Sequence, residues 1–511
     1  MKKSSYVIPA DFPDPDVIRV DDCYYMVSTT MHFMPGCVIL RSYNLVDWEH
    51  AAYVYDELER TPKETLSDNK GAYGKGMWAA SLRYHDGKFY VSFVANDTHK
   101  TYLFTSEKIE GPWKRSEIRG FYHDMSLLFD DDGRVFCVSG NTEIVLTELE
   151  ADLSGPKTGG VNKLIIRDNP DEVVLGYEGS HFYKINGKYY VFLIHIPKGK
   201  MRTEACYVSD KIEGPYTGGD VLCSDLAGWN SGTAQGGIVQ AGDGKWYSIV
   251  FQDHGTLGRI PVLVPVDFVD DFPVFGHDGI APEQVSVLDN RPEYQYAPLY
   301  SNDFTNPAWQ WNHIPDKNLV ELKSSSFTVR TDKICVNPVQ AANTLTQRTF
   351  TEHCSGSVEI DASKINEGDV AGLCALEGEY GFIAVTKKDG KYKLIVAEHK
   401  IEYSPWAMGV YDSASPNIIE EKEISSPVLR LKATFSLEHE KEQVQFAYCL
   451  SDSQSEKDSS FVDFGSPVRL RYTLDQFVGV RFALFCYSTV SAGGEASFRD
   501  FVMGLSKAAA L

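Results

Sequence analysis

A short pattern that occurs five times constrains the fold of this chain more than any other feature of its sequence. Each copy is an apolar strand, a tight turn and an aromatic-rich strand, and the copies span residues 14–29, 81–96, 126–141, 180–195 and 237–252. In four copies the turn contains Asp-Gly or Asn-Gly, which is typical of a two-residue type I′ hairpin. The first copy has Asp21-Asp22 instead. Repeated hairpins with further strands between them predict a five-bladed β-propeller.

The repeat ends near residues 290–302, and the texture of the sequence changes there. Beyond this point, alternating apolar and polar runs continue without any blade pattern, for example over 356–363, 428–436 and 478–488. Helical periodicity is almost absent from the whole chain. We therefore predict an all-β protein with a propeller over residues 1–295 and a β-sandwich over residues 300–511.

Composition limits the partners that we expect. The chain has 511 residues and a net charge of −22, so nucleic acid and anionic membrane surfaces are unfavourable partners, whereas a neutral ligand is not affected. Aromatic residues make up 12% of the chain, which favours β structure and sugar-binding surfaces. The ten scattered cysteines contain no CxxC pair, and no apolar leader or spanning segment is visible. We expect buried free thiols and a cytoplasmic protein.

One position of the repeat carries polar or aromatic residues in every blade. When the copies are aligned on the aromatic residue of the second strand, the start of the first strand in each blade is Asp14, Trp78, Asp124, Glu178 and Gln235. Asp14 fits this alignment with a shift of one residue. The innermost strands of a propeller line its channel, so equivalent positions lie on one ring. The sequence therefore predicts three carboxylates at a single channel mouth.

Such a ring favours acid–base chemistry on a sugar. Like charge and desolvation both raise a carboxyl pKa, so one member stays protonated while another remains ionised. Cleavage of a glycosidic bond needs this combination. Taken one at a time, Asp14 is also compatible with a turn, Asp124 with an Asx cap and Glu178 with a loop carboxylate. We interpret Trp78 as a sugar-stacking platform, with burial in the core as the alternative.

At these residues the chain resembles glycoside hydrolase family 43. The three motifs of that family appear here as "FPDPDVIRV", "HDMSLLFDDDG" and "YEGSHFYKINGKYY". Residues 345–350 and 368–385 are similar to the sandwich domain that follows the propeller in the family's β-xylosidases and α-L-arabinofuranosidases. The resemblance thus implies a C-terminal sandwich of the concanavalin-like jelly-roll type.

The resemblance also implies roles for individual residues. Asp14 would be the general base, Glu178 the general acid, and Asp124 the residue that modulates and orients the acid. An inverting enzyme keeps its two carboxyls about 6.5–9.5 Å apart so that water fits between base and sugar. Arg259 matches an arginine that binds the glycone. Residues 28–36 match a loop that shapes the sugar pocket, which makes His32 and Phe33 candidate substrate contacts.

The ring departs from the family pattern in blade 5. Many relatives have a histidine there that holds a central ion or water, whereas this chain has Gln235. His254 is a tentative substitute ligand, and burial in the core is its alternative role. We expect no required cofactor and leave a structural Ca²⁺ in the channel open. No zinc or EF-hand spacing is present.

These observations predict an exo-acting, inverting hydrolase that releases terminal α-L-arabinofuranose, and as a further activity β-D-xylose, from arabinoxylan-derived oligosaccharides. The main alternative is a β-xylosidase. Two remoter alternatives are a carbohydrate-binding propeller without catalysis and a retaining fructan- or sucrose-cleaving propeller. Residues 167–172, "RDNPDE", weakly resemble the middle motif of the second class. The expected partner is a small neutral oligosaccharide, and the oligomeric state is open. We expect the sandwich to lend a loop near Tyr487 to Ala492 to the mouth of the site.

Overall fold

The computed structural model describes residues 2–401, 413–450, 461–473 and 476–505. Over these residues the regular structure is β-strand, apart from two 3₁₀ turns at Gly255–Leu257 and Pro338–Gln340. The predicted all-β class is confirmed. Within the described part of the chain, no helix has the length and apolar character needed to span a bilayer. Within the described residues the ten cysteines form no disulfide, and all except Cys223 are buried.

Five sheets form the predicted propeller, and each is antiparallel and runs in chain order from the channel outwards. The strands, blade by blade, are Asp16–Val20, Cys23–Ser28, Gly36–Ser42 and Glu49–Tyr55; Ser81–His85, Lys88–Ala95, Lys100–Ser106 and Lys114–Ile118; Ser126–Phe129, Val135–Asn141, Glu143–Leu149 and Asn162–Arg167; Val173–Ile185, Lys188–Pro197, Thr203–Ser209 and Thr217–Leu222; and Thr233–Ala234, Ile238–Gln240, Trp246–Asp253, Arg259–Val269 and Phe272–Phe275. In blade 5 the inner strand is therefore in two pieces, which are separated at Gln235.

The N-terminal residues complete the last blade. Tyr6 forms a bridge with Val262, and strand Lys2–Ser4 pairs with strand Gln284–Ser286, which follows blade 5. The first strands of neighbouring blades contact one another around the channel. The start and the end of the propeller sequence are thus joined, and the inner strands face a common axis.

The hairpin turns follow the prediction in only some blades. Blades 2 and 4 have two-residue turns, and both central residues have positive φ, at Asp86-Gly87 and Asn186-Gly187. In blades 3 and 5 pairing ends earlier, at Phe129↔Val135 and Gln240↔Trp246, which leaves five residues in each loop. The prediction of a two-residue turn is wrong there. In such a loop the backbone N of the glycine donates to the oxygen three residues earlier, as from Gly133 to Asp130 at 3.0 Å. The glycine therefore lies inside a longer loop and not in a two-residue turn.

A polar network at the channel axis connects the inner strands. Asp16 of blade 1 lies 2.7 Å from Arg83 of blade 2 and 3.1 Å from His181 of blade 4. Arg83 also donates to Ser126 of blade 3 at 2.5 Å, and Tyr183 accepts from Ile238 N of blade 5 at 3.2 Å. Burial by itself would raise the pKa of Asp16, but the charge of Arg83 and the bond from His181 bring it below its usual value. Side chains of blades 1 to 4 and a backbone N–H of blade 5 therefore meet here.

We expect the substitution Arg83→Met to lower the free energy of unfolding by about 3 kcal/mol, because it leaves the charge of Asp16 buried without its cation. Arg134→Met is the matched control: its ion pair with Asp132 is 2.8 Å long but exposed, and such pairs contribute about 0–1 kcal/mol. Urea unfolding of both variants measures the difference. Equal losses in the two variants would contradict the assigned role of the channel pair.

The C-terminal domain is a sandwich of two sheets. The first sheet contains, in order, Asn417–Glu423, Lys391–Glu398, Gly381–Lys388, Asp369–Leu376, Arg481–Ser488, Leu345–Arg348, Trp309–Asn312 and Phe33–Met34. The second contains Val320–Lys323, Ser326–Arg330, Glu495–Leu505, His353–Lys364, Val428–Ser436, Gln443–Leu450 and Val462–Asp463, with Val468–Arg469 also paired to Gln443–Leu450. Their facing side chains, such as Ile360, Leu431 and Phe482, form the core.

The two domains share backbone and side-chain contacts. Strand Phe33–Met34 leaves blade 1 and becomes the edge strand of the first sandwich sheet, where Phe33 pairs with Asn312. At the same interface the buried Arg348 donates from Nε to the backbone oxygen of Asp11 at 2.7 Å. One apolar cluster contains residues of both domains. The sandwich is therefore placed against the start of blade 1, next to the segment that contains Asp14.

Candidate active site

Asp14 lies in a strained, buried segment at the channel mouth. It stands between Pro13 and Pro15, has a φ of 53° and is 7% exposed. Its Oδ1 accepts a hydrogen bond from Arg259 Nη1 at 2.8 Å. Burial raises the pKa of Asp14, while Arg259 and the hydroxyl of Thr29 oppose that rise. Arg259 therefore favours the ionised carboxylate in a place where burial alone would protonate it.

Arg259 is held in place by contacts with Asp11, Phe251 and Phe477. It begins the third strand of blade 5, and its backbone N donates to Asp11 Oδ1 at 2.9 Å. Its guanidinium lies over the rings of Phe251 and Phe477, at 5.3 and 4.5 Å from their centroids. Although burial disfavours its charge, Asp14 raises the pKa of Arg259 overall. A charged guanidinium thus faces the base candidate.

Asp124 lies on the other side of the mouth, close to Glu178. It has a φ of 47°, and its Oδ2 accepts from the backbone N of Gly179 at 3.1 Å. The pKa of Asp124 is raised to about 7. Burial is the largest cause, the charge of His123 opposes the rise, and the charges of Glu178 and Asp14 add to it. The pKa of Asp124 is therefore affected by both other acids of the predicted ring.

Glu178 projects from the long inner strand Val173–Ile185 of blade 4, where the pairing register shifts on both sides of it. Its Oε2 accepts from Asn141 Nδ2 at 2.5 Å and contacts His123 Nε2 at 3.3 Å. One oxygen of Glu178, one of Asp124 and a ring nitrogen of His123 all lie within 4.8 Å of one another. The structure thus brings the acids of blades 3 and 4 into direct proximity.

The two other ring positions border the same group. Trp78 is half-buried, and its ring lies between His123 at 6.0 Å and Phe477 at 5.8 Å. This position suits the predicted stacking platform, which stays a prediction. The side chain of Gln235 packs against Gly179, where a Cβ atom would come within 2.6 Å of its Cδ. Gln235 therefore supports the backbone next to Glu178.

His32 and Phe33 do not line the pocket. Their side chains are 1% and 0% exposed, so neither has surface with which to contact a sugar. His32 Nε2 bonds Asn312 Oδ1 of the sandwich at 3.0 Å, and its ring lies 4.6 Å from that of His313. The prediction that they bind substrate is wrong in this structure, because strand Phe33–Met34 joins the sandwich and turns the loop into the domain interface.

His254 does not fit a calcium site. Its ring stacks on Trp229 at 4.3 Å and meets Tyr6 edge-on at 5.0 Å, and burial lowers its pKa to about 3. Ca²⁺ prefers several oxygen ligands, and this aromatic setting supplies a nitrogen. Among the described residues, the one group of three His, Cys, Asp or Glu ligands is the His123, Asp124 and Glu178 group. We therefore derive no step through a metal.

The sandwich contributes a side chain that the sequence did not reveal. Phe477 reaches the mouth, where its ring lies under Arg259 and beside Trp78, and its carbonyl accepts from Arg259 Nη2 at 3.4 Å. The expected loop near Tyr487 to Ala492 lies elsewhere: Tyr487 pairs with Val370 and is 3% exposed. That expectation is wrong. Phe477 belongs to no repeat, so no pattern in the sequence pointed to it.

Several buried polar atoms near Asp14 and Arg259 have no hydrogen-bond partner within the described part of the chain. They are Trp78 Nε1, Arg202 Nε, Arg259 Nε and Tyr472 Oη. Arg202 acts on the pKa of Asp14 and Tyr472 acts on that of Arg259, so both lie near this ion pair. Buried donors without a partner are rare in folded proteins, which makes the surroundings of Asp14 and Arg259 unusual.

We expect Arg259→Gln to shift the acidic limb of the pH–rate profile to higher pH. Arg259 opposes the burial that raises the pKa of Asp14, so without it the base binds a proton at a higher pH, by about 1–3 units. Activity then disappears sooner as the pH falls. Arg202→Gln is the control, because Arg202 has a smaller influence on Asp14 and pairs with Asp253 at 2.6 Å. An unshifted limb in Arg259→Gln would contradict this account of Asp14.

Comparison with protein families gives two matches. Residues 5–273 match the model of "Glycosyl hydrolases family 43", and residues 300–503 match that of "Beta xylosidase C-terminal Concanavalin A-like domain". The first match covers the five blades and the second the described sandwich.

Individual proteins are similar as well. A "Beta-xylosidase" of Formosa agariphila is 29% identical over 60% of this chain, and a "Non-reducing end alpha-L-arabinofuranosidase" of Bacteroides ovatus is 28% identical over 65%. These alignments span 58% and 68% of the two relatives, so the chain matches little more than half of the first. A solved "Bifunctional GH43-CE" structure from Bacteroides eggerthii is 37% identical, with a TM-score of 0.87, over 99% of this chain and 64% of its own.

Proposed function

Because this chain belongs to glycosyl hydrolases family 43, we propose that it is an exo-acting glycoside hydrolase that removes a terminal pentose from arabinoxylan-derived oligosaccharides with inversion. One observation carries the proposal: the carboxylates of the ring lie at one mouth but in opposite electrostatic settings. Asp14 bonds the cation Arg259, whereas Asp124 and Glu178 lie together within 4.8 Å. A base and an acid are thereby separated within a single site.

In the proposed reaction Asp14 is the general base. Its ionised carboxylate takes a proton from a water molecule, and the water oxygen forms the new bond to the anomeric carbon on the face opposite to the leaving group. The bond from Arg259 at 2.8 Å holds the carboxylate and favours its charged form.

Glu178 is the proposed general acid. It donates a proton to the glycosidic oxygen while the bond between that oxygen and the anomeric carbon breaks, so the leaving group departs as a neutral alcohol and not as an alkoxide. Asp124 modulates this step: the two carboxyls lie close together, and a pKa of about 7 keeps Asp124 partly protonated near neutrality. After turnover the acid regains a proton from solvent, and the base releases one.

Exo action is part of the proposal. It needs a pocket that accepts the end of a chain and excludes its middle, and Trp78 and the Phe477 of the sandwich, whose rings lie 5.8 Å apart, would form part of its wall. The net charge of −22 leaves a small neutral oligosaccharide as the partner and makes nucleic acid and anionic membranes poor ones. No resident cofactor is needed for this chemistry.

We favour α-L-arabinofuranose as the released sugar, with β-D-xylose as a further product. The departure at Gln235 differs from the plainest xylosidase pattern. A β-xylosidase is the second candidate, and two relatives support it: the Formosa agariphila protein is named "Beta-xylosidase", and a protein from Xylanibacter ruminicola, which is 32% identical over 59% of this chain, is named "Putative beta-xylosidase".

The decisive experiment is a comparison of nitrophenyl α-L-arabinofuranoside with nitrophenyl β-D-xyloside under identical conditions. Our proposal predicts a higher kcat/KM for the arabinofuranoside and measurable activity on the xyloside. The reverse order would establish the second candidate. If neither substrate is cleaved and isothermal titration still shows oligosaccharide binding, the propeller is a binding module and the proposal fails.

A further inference from the structure

We propose that His123 is a positioning residue of this site: its protonated ring bridges Asp124 and Glu178, holds the acid in one orientation and offsets the repulsion between the two carboxylates. The inference rests on the proposed function, because it concerns the acid of that reaction. The motif that carries the family resemblance includes His123, but the resemblance implies a role only for Asp124, and the comparisons assign none to the residue before it.

The backbone directs His123 into the site. Its carbonyl accepts from Gly140 N at 3.0 Å, which anchors it to the second strand of blade 3. The left-handed φ of Asp124 follows at once and turns the chain. The ring then meets Trp78 edge-on at a centroid distance of 6.0 Å, while 22% of the side chain stays exposed. His123 is therefore held at the mouth and still exchanges protons with solvent.

A single nitrogen of His123 faces both carboxylates. Its Nε2 lies 3.3 Å from Glu178 Oε2 and 3.6 Å from Asp124 Oδ2. Asn141 donates to the same Glu178 oxygen at 2.5 Å. Because two donors converge on Oε2, the carboxyl plane of Glu178 is fixed, and the proton that the acid donates is expected on Oε1.

The surrounding charges keep the ring protonated. The pKa of His123 is raised to about 9. The charge of Asp124 is the largest cause, burial opposes the rise, and Glu178 and Asp14 add to it. These carboxylates come from blades 1, 3 and 4. Blade 2 contributes the uncharged Trp78, and the cation of blade 5, Arg259, is bonded to Asp14. His123 is thus the cation that lies directly against the acid.

The consequence for catalysis is a lower pKa of Asp124, the residue that modulates the acid. A positive charge within about 4–6 Å stabilises an ionised carboxylate, so His123 opposes the rise that burial causes in the pKa of Asp124. Without the ring charge, Asp124 holds its proton to a higher pH, and the pH dependence of catalysis shifts with it.

His123→Gln tests the role of the charge, because glutamine keeps an amide donor of similar reach. We expect the basic limb of the kcat/KM profile to move up by about one pH unit and kcat on oligosaccharides to fall several-fold. His123→Lys retains a cation and is expected to bring the limb back towards that of the wild type. Asn141→Ser removes a neutral donor from the same oxygen and should lower kcat without moving the limb.

Two kinetic results would overturn the inference. An unmoved basic limb in His123→Gln would reduce His123 to a structural contact, and a limb that moves to lower pH would make the ring itself the source of the catalytic proton. NMR titration of the His123 ring supplies a readout that needs no activity. The ring is expected to titrate near pH 9 in the wild type and clearly lower in Asp124→Asn, and an ordinary histidine value in both proteins would contradict the inference.

The titration also separates this inference from the proposed function. If the wild type cleaves no pentoside while the ring titrates as expected, the proposed function fails and the bridge between the two carboxylates stands. If the wild type is active and the ring titrates like an ordinary histidine, the function stands and the inference fails. Circular dichroism of each variant confirms that the comparison is made between folded proteins.

Discussion

Asp14→Asn is expected to lower kcat by about 10³-fold or more on every substrate, whatever the leaving group. General-base catalysis contributes about 10²–10⁴-fold, and a factor of 10³ corresponds to about 4 kcal/mol of transition-state stabilisation. Asparagine keeps the shape of the side chain and can still contact Arg259, which lies 2.8 Å from the carboxylate. It cannot accept the proton of the attacking water. Steady-state rates on nitrophenyl and oligosaccharide substrates measure the loss.

Chemical rescue sharpens this first test. Azide or formate can attack the anomeric carbon without a base, so added anion should restore part of the rate of Asp14→Asn and not increase that of the wild type. Asp132→Asn is the matched control, because Asp132 is an exposed aspartate of the hairpin turn in blade 3 that bonds Arg134, its one hydrogen-bond partner among the described residues besides any solvent. It should retain wild-type rates. Wild-type activity of Asp14→Asn would remove Asp14 from the reaction.

The second large effect is expected in Glu178→Gln, and it depends on the leaving group. Loss of the acid should reduce kcat on unactivated oligosaccharides by about 10³-fold, because an alkoxide must then leave without a proton. Nitrophenolate is a stable anion, so nitrophenyl pentosides should lose far less.

The ratio of the two losses is the informative quantity. A general acid predicts a much larger loss on oligosaccharides than on nitrophenyl substrates, whereas Asp14→Asn should show similar losses on both. Glutamine can keep the contacts with Asn141 and His123, so folding is expected to be preserved. Equal losses on both substrate types would contradict the assignment of Glu178 as acid and leave it a role in binding.

The repeat predicted the site because position within a blade determines position around the channel. Asp14, Asp124 and Glu178 are far apart in the chain, yet the charges of Asp14 and Glu178 both act on Asp124. The alignment needed only the inner hairpins, whose apolar and aromatic residues follow strand periodicity. The change of pattern near residue 300 likewise predicted the sandwich.

What the sequence did not predict lies at contacts between segments without a shared period. Phe477 enters the mouth from the sandwich, and strand Phe33–Met34 leaves the propeller to pair with Asn312. Such long-range pairings have no local pattern. His123 was a different case: it stood next to a predicted acid, but its direction depends on the left-handed φ of Asp124, which a sequence does not display.

The stereochemistry of the first product tests the central claim most directly. If Asp14 and Glu178 act from opposite faces of the sugar with a water between them, cleavage inverts the anomeric centre. Proton NMR during the first minutes of hydrolysis should then show β-L-arabinofuranose from an α-L-arabinofuranoside and α-D-xylose from a β-D-xyloside, before mutarotation mixes the anomers. A first-formed product that retains the configuration of its substrate would contradict the account.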